Sequence, residues 1–282
     1  MNFQTIPPAP LSKQMLETAF RNAREQSKQK KLRGNWLQII RQKEKMKLDI
    51  VKERLVSQLL SIAKSFPTLD DLPPFYQSLV RLTIDAEEFK KSCAALRWAV
   101  NRVVYFQANY ARAIAKTTQR QMIAQLSKQC YGRIASVIKQ MDHSLRFLNE
   151  SRAILRTFPD IKQMFTVCIY GYPNVGKTTL LNTLAETKAK VAAYAFTTTS
   201  INSGFITLDG EKIQLLDVPG TLAREKHNLV ELQAELVLKE VANLVIYVFD
   251  VSESSGYTFE KQEQLCKKDS KLKPTIVYVS KA

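Results

Sequence analysis

The eight residues Gly171-Tyr172-Pro173-Asn174-Val175-Gly176-Lys177-Thr178 constrain this chain more than any other segment. They fit the spacing GxxxxGK[ST] and lie between an apolar run, FTVCIY at 165–170, and a stretch that reads as helix over 177–187. Such a segment hands a strand over to a helix through a loop whose backbone amides face inward. Gly171 and Gly176 allow backbone conformations and close approaches that a side chain would block. The amides of residues 174–178, together with the N-terminus of the helix, then surround a phosphate. In this pattern Lys177 reaches the β- and γ-phosphates of a nucleotide, and the Thr178 hydroxyl is a ligand for Mg²⁺. Residues 171–179, Thr179 included, are the expected nucleotide-binding loop.

A second motif, Asp217-Val-Pro-Gly220, stands forty residues after Lys177 at the end of the apolar run KIQLLDV. A carboxylate at a strand end beside a phosphate loop can hold Mg²⁺, usually through water, while the Gly220 amide meets the γ-phosphate. Between the two motifs, Tyr194-Ala-Phe-Thr197-Thr198-Thr199 offers hydroxyls to complete the metal shell. Thr198 is the favoured ligand, although three threonines in a row leave the choice open. The expected metal set is therefore Thr178, Thr198 and Asp217, and the expected catalytic set Lys177, Thr198, Gly220 and Asn174.

The two parts of the chain differ in composition. Of eight glycines, only Gly34 and Gly132 precede residue 160, and no proline occurs between Phe75 and Phe158. Apolar residues there recur every three or four positions: Leu96, Val100, Val103, and later Ile134, Val137, Met141, Leu145 and Leu148. The spacing predicts a bundle of long helices over 11–156, broken near 32–35, 66–74 and 117–119. After residue 160, short apolar runs at 165–170, 201–208, 212–218, 243–251 and 275–280 alternate with helical stretches at 177–187, 226–242 and 258–270. The turn Asp209-Gly210 joins two of the runs as a hairpin. This is the grammar of an α/β domain with a mostly parallel, doubly wound sheet. The expected division is a helical bundle over 1–160 and the α/β domain over 161–282.

The formal net charge of +16 is carried almost wholly by the first part. Residues 1–160 hold 28 Lys plus Arg against 13 Asp plus Glu, and the rest hold 14 against 13. A basic segment beside a near-neutral one points to a polyanion, nucleic acid first and an anionic membrane surface second. No apolar run approaches the roughly 20 residues needed to span a bilayer. The start of the chain lacks the pattern of a secretory signal. Cys93, Cys130, Cys168 and Cys266 are widely spaced and read as reduced core thiols of an intracellular protein.

With these residues in view, GYPNVGKT, the YAFTTTS run, LLDVPG, Glu231-Leu-Gln-Ala-Glu235 and Asp250-Val-Ser-Glu-Ser-Ser-Gly-Tyr resemble the Obg-related GTPases. The last segment, preceded by a helical domain, most resembles the nucleolar GTP-binding (NOG-type) proteins and their archaeal relatives. The resemblance implies a P-loop GTPase that binds GTP or GDP with Mg²⁺ and acts in assembly of the large ribosomal subunit. Its basic helices would contact ribosomal RNA, ribosomal proteins or assembly factors. It would be a monomer without a membrane, cytoplasmic in an archaeon and nucleolar in a eukaryote. Asn174 is similar to an asparagine that coordinates K⁺ in related GTPases. Family members carry Asn-Lys-x-Asp to read the guanine; here Ser280-Lys281-Ala282 takes that place and ends the sequence. Lys281 is expected against the base, and a truncated domain with weakened guanine selectivity and an uncovered sheet edge is expected. Thr221 and Leu222 follow Gly220 where a Ras-like enzyme has Gln, so hydrolysis should be slow without an activator.

Two classes of function fit: a GTP-driven switch, or a structural RNA-binding factor whose nucleotide site rarely turns over. An ATPase is the third reading. Lys28, Lys30, Lys31, Arg33, Lys43, Lys45 and Lys47 are candidate phosphate contacts. Trp98, Arg102, Tyr105 and Asn109 recur at helical spacing with Phe106 and Tyr110 beside them, a pattern that suits RNA stacking but more commonly marks the packing face of a bundle helix. Glu231 and Glu235 read as a surface pair, and His143 and His227 stand apart from any ligand cluster.

Overall fold

The computed structural model describes residues 3–29, 32–186, 190–193, 200–220 and 229–280. Thr198, Lys281, Thr221, Leu222, His227, Lys30 and Lys31 lie outside these residues. Contacts divide the chain into two compact units that interleave along the sequence. One holds residues 6–69 and 85–153; the other holds the described residues of 1–5, 70–84 and 154–282. A boundary at 160 separates helices from strands in sequence, whereas the contacts draw residues 70–84 to the strand-bearing unit.

In the first unit, α1 (Ser12–Gln29), α2 (Trp36–Ser65), α4 (Ala86–Lys116) and α5 (Arg120–Gln140) pack as neighbours, followed by α6 (Asp142–Leu155). Local chemistry fixes the ends. Asn35 and Gln38 form a reciprocal capping box at the start of α2. The Asp85 carboxylate accepts from the amides of Glu87 and Glu88 and starts α4. Expected breaks near 32–35, 66–74 and 117–119 all fall between helices, and two more occur at Ile84–Asp85 and at Met141. Both were hidden because buried residues, Ile84 and Met141, carry the apolar period through the joint. The core is built from Leu48, Val51, Leu55 and Leu59 of α2, Phe89, Leu96, Ala99 and Val103 of α4, and Ile123, Ile134 and Ile138 of α5. Asn149 exchanges two hydrogen bonds with the backbone of Ala9 (2.9 and 2.8 Å), and Asp142 accepts from the Ser12 amide at 3.0 Å. These bonds hold the N-terminal segment to α6.

One expectation for this unit is corrected. Trp98 and Tyr105 do not pack into the bundle; they are 44% and 54% exposed. The buried stripe of α4 runs through Leu96, Ala99, Val103, Gln107, Ala111 and Ile114. A residue two positions on from a core position is rotated by about 200° at 3.6 residues per turn, so Trp98 and Tyr105 lie on the far side. Phe106 and Tyr110 are half-buried at the flank.

The second unit is built on a six-stranded sheet in the order β2-β3-β4-β1-β5-β6. The strands are β1 (Thr166–Tyr170), β2 (Lys190–Ala193), β3 (Ser200–Leu208), β4 (Glu211–Asp217), β5 (Leu244–Asp250) and β6 (Thr275–Ser280). Strands β4, β1, β5 and β6 run parallel, while β2 and β3 add antiparallel pairs at one side. The hairpin turns at Asp209-Gly210 as the sequence predicts, both residues at positive φ. Strand β2 has no sequence counterpart among the expected runs. Helices α7 (Lys177–Leu184), α8 (Leu229–Glu240) and α9 (Phe259–Asp269) complete the α/β pattern, with α7 on β1, β3 and β4, and α9 on β5. The remaining helix, α3 (Pro74–Thr83), packs beside α8. Its Tyr76 hydroxyl donates to the Pro159 carbonyl at 2.7 Å and accepts from the Ile161 amide at 3.0 Å, with the Phe3 ring set edge-on at 5.2 Å. Burial pushes the Tyr76 phenol up to about 12. On β6, Ile276, Val277, Tyr278 and Val279 are all exposed.

Truncating a fully buried bundle residue and an exposed one should give opposite results. Leu55→Ala is expected to lower unfolding stability by about 2–5 kcal/mol, and Trp98→Ala to change it by no more than about 0.5 kcal/mol, both read from urea unfolding curves.

Candidate nucleotide-binding site

Strand β1 is buried along its whole length and hydrogen-bonded on both sides. Ile169 is in register with Asp217 on β4, and the Val218 amide donates to the Ile169 carbonyl at 3.1 Å. The loops that follow β1 and β4 therefore leave the sheet at one level, beyond the carboxyl ends of the strands, where ligands of such sheets sit. Gly171 turns out of β1 at φ +144, and a Cβ there would stand 2.7 Å from the Val248 carbonyl oxygen. Gly220 lies directly against the loop: a Cβ on it would be 2.6 Å from the Pro173 nitrogen and 2.9 Å from Lys177 Nζ. Residues 171–178 and Asp217–Gly220 thus form one surface.

Lys177 is only 7% exposed, and its ammonium donates to the Tyr172 carbonyl at 2.7 Å. Burial pushes its pKa down to about 8, against the opposing pull of Asp217. Thr178 Oγ1 donates to Asp217 Oδ2 at 2.5 Å, and Asn202 Nδ2 donates to the same oxygen at 3.0 Å. A hydroxyl and a carboxylate held together make an all-oxygen donor set, which suits a hard cation such as Mg²⁺. Around the loop, Val175 is fully buried, Pro173 half-buried, and Asn174 and Thr179 exposed, Asn174 with φ +63. Tyr172 is buried beneath, its ring 4.5 Å from that of Tyr257.

Several residues of this region are not evident from motif spacing. Asn202 faces Asp217 across the β3–β4 ladder; a polar side chain within the alternating run INSGFITL was the available signal. Ser280 Oγ lies within hydrogen-bond distance of the Val175 carbonyl (2.5 Å) and the Phe249 carbonyl (3.0 Å), tying β6 to the phosphate loop and to β5. Asp250 is fully buried at the end of β5. Its carboxylate accepts from Ser252 and Ser254 hydroxyls and from the Ser252 and Ser255 amides, which folds the segment leading to Tyr257. Gln262 clamps the same turn through the Asp250 amide and carbonyl. Glu231 corrects the expectation of a surface pair: it is 3% exposed, on the inward face of α8 with Ala234 and Leu238, while Glu235 is exposed. Steps of three and seven residues from Glu231 reach that apolar face at Ala234 and Leu238, which the pairing with Glu235 obscured.

Of the candidate phosphate contacts of the helical unit, Lys47 has a protein partner, as does Arg41 nearby. Arg41 donates to the Thr117 carbonyl at 2.8 Å, and Lys47 pairs with Glu44 at 2.7 Å. Lys28, Arg33 and Lys45 are exposed and Lys43 is half-buried. None of the four cysteines is in a disulfide. Burial raises Cys93 to about 11 and Cys130 and Cys168 to about 12, which leaves them unreactive. Among the described residues no group of three or more His, Cys, Asp and Glu could hold a metal, and no helix is long and apolar enough to cross a membrane.

A phosphate loop after the central strand, with a carboxylate and a glycine brought to it from the neighbouring strand, defines a P-loop GTPase domain. Residues 3–162 match the family described as the NOG1 N-terminal helical domain, and residues 166–281 match the family described as 50S ribosome-binding GTPase. The chain belongs to the NOG1 family. It is 38% identical over 87% of its length to the uncharacterized protein MJ1408 of Methanocaldococcus jannaschii, covering 70% of that protein. It is 29% identical over 99% of its length to nucleolar GTP-binding protein 1 of Drosophila melanogaster, of which it spans 44%. Among solved structures, the G domain of the T. maritima FeoB iron transporter is 33% identical over 42% of this chain and 72% of that one, with a TM-score of 0.36.

Gly220→Ala should drive the second loop off the first, since a methyl cannot share the space of Pro173 and Lys177. The expected outcome is at least a tenfold loss of nucleotide affinity by calorimetry, with little change in melting temperature.

Lys177→Met should separate stability from function. Its lowered pKa means that the unfolded chain binds more protons between about pH 8 and 10.5. The penalty is therefore full below about pH 8 and fades toward 10.5. Methionine removes it, so the nucleotide-free variant should be about 1–3 kcal/mol more stable at pH 7, a gain that shrinks by pH 10, while losing phosphate binding.

Proposed function

We propose that the chain is a GTP-driven switch that hydrolyses GTP to GDP and phosphate and acts in assembly of the large ribosomal subunit. The observation that carries the reading is the contact of Gly220 with Pro173 and Lys177, which makes the position of the second loop depend on what occupies the first. In this reading the amides of residues 174–178 hold the β-phosphate. Lys177 gives up its bond to the Tyr172 carbonyl for the β- and γ-phosphate oxygens, and the Gly220 amide meets the γ-phosphate. Thr178, Asp217 and Thr198 are the proposed side chains for Mg²⁺, which when bound neutralises charge on the phosphate oxygens. Lys281 is the proposed contact to the guanine. Asn174, at the exposed apex of the loop, is the proposed ligand for K⁺. Loss of the γ-phosphate would release the segments around Thr198 and Gly220.

The basic helices of 1–160 supply the second half of the function, contact with ribosomal RNA or ribosomal and assembly proteins. Their charge and the family support this reading, and cytoplasm or, in a eukaryote, nucleolus is the matching location. Thr221 and Leu222 in place of a glutamine favour slow turnover that an activator or the ribosomal particle raises.

Titration with GTP, GDP and ATP in the presence of Mg²⁺ tests the assignment, on this chain and on one carrying a full Asn-Lys-x-Asp segment. Guanine nucleotides should bind the latter at least tenfold more tightly than ATP; equal binding of all three there would overturn it. Hydrolysis should run severalfold faster in KCl than in NaCl, and equal rates would remove K⁺ from the proposal.

A further inference from the structure

From Phe89 to Met141, a span of 53 residues that takes in α4 beyond its first turn and all of α5, the sequence contains no aspartate or glutamate and ten lysines and arginines. Within it, Trp98, Arg102, Tyr105, Asn109 and Arg112 follow one another at intervals of three and four residues, so they form one stripe along α4. The stripe lies on the side of the helix away from the core. Trp98 and Tyr105 are 44% and 54% exposed, and Arg97, Arg102 and Arg112 are exposed as well. The guanidinium of Arg102 is poised over rings, 5.4 Å from the Tyr105 centroid and 5.1 Å from that of Phe106. Arg112 bonds to Asn109 at 3.2 Å, which holds the far end of the stripe. Among the described residues, no ion pair engages Arg97, Arg102 or Arg112 with a carboxylate. Val104, one residue from Tyr105, closes one wall of an open groove of about 800 Å³, whose other wall is α2 with Lys52, Glu53, Leu60 and Lys64.

Covering large aromatic faces with a partner is favourable, and the chemistry around these selects the partner. A protein interface built on Trp and Tyr would pair the arginines with carboxylates. Equally, a duplex would meet the charge but offer no open base to the rings. Unpaired bases with their phosphates satisfy both, since every base has a face to stack and every nucleotide an anionic charge. Trp98 and Tyr105 are separated by roughly 10 Å along the helix axis, the rise of about three stacked bases. We propose that the α4 stripe Trp98–Arg102–Tyr105–Arg112 is a stacking platform for single-stranded RNA. This rests on the reading of the helical unit as an RNA-contacting part and adds to it the form of RNA and the residues that select it.

The test uses the whole chain with an end-labelled 12-nucleotide RNA of mixed sequence, free and annealed to its complement, at 50 and 200 mM salt. Wild type is expected to bind the single strand at least tenfold more tightly than the duplex. The double variant Trp98→Ala, Tyr105→Ala should lose tenfold or more on the single strand, leave duplex binding as it was, and keep its nucleotide affinity. Arg102→Gln with Arg112→Gln should weaken both RNAs and flatten the salt dependence. Trp36 and Trp98 are the only tryptophans, so in Trp36→Phe the emission comes from Trp98 alone and should be quenched by the single strand and not by the duplex. Unchanged binding by the aromatic variant, or an unquenched Trp98, would overturn the platform while leaving general RNA contact in place. A wild-type chain that binds neither RNA would overturn the RNA half of the proposed function as well.

Discussion

Strand β1 is paired on both sides, to β4 and to β5, and the site depends on that double pairing. Because Ile169 is in register with Asp217, the turn that leaves β1 and the turn that leaves β4 begin side by side. A slip of one residue would turn the Asp217 carboxylate to the other face of the sheet and separate it from Thr178. The main-chain ladder therefore sets the distance between the loop and the carboxylate, and the side chains only complete it. Ser280 extends the same logic to the other side, where β6, paired to β5, reaches the carbonyl of Val175 directly through Ser280 Oγ.

The burial of Lys177 shows what the site costs the fold. An ammonium 7% exposed gives up solvation and, among the described residues, recovers one carbonyl bond and the attraction of Asp217. A phosphate group would supply what the ammonium lacks, so the loop holds an unmet electrostatic demand in place of a local energy minimum. Thr178 and Asp217, satisfied by each other, are in the reverse position: a cation would have to exchange a good hydrogen bond for coordination.

Much of the strand-bearing unit is legible in sequence because its elements are punctuated. Gly171 and Gly176 mark the loop, Asp209-Gly210 marks the hairpin, and the apolar runs end within one residue of the strand ends. What was not legible depends on pairing across the chain. The role of Asn202 exists only because β3 lies against β4, and that of Ser280 only because β6 lies beside β5. Strand β2 carries too short a run to announce itself. The helical part misled in a different way: Ile84 and Met141 keep the three-to-four spacing through real breaks, and Trp98 and Tyr105 share a period with the core while lying two positions out of phase. Periodicity reveals that a helix has faces, not which face is inside.

The interleaving of the two units has a consequence for how the chain is made. Residues 6–69 and 85–153 can close around one another once residue 153 has emerged, whereas α3 belongs to the other unit. Its buried residues Phe75, Tyr76, Leu79 and Val80 pack in the other unit, beside α8. On a ribosome adding roughly 5–20 residues per second, Phe3, Pro159 and Ile161 reach α3 early, but α8 follows it by roughly 150 residues, so the side of α3 that packs beside α8 stays open for on the order of ten seconds. The order of synthesis and the order of assembly thus disagree at one short helix.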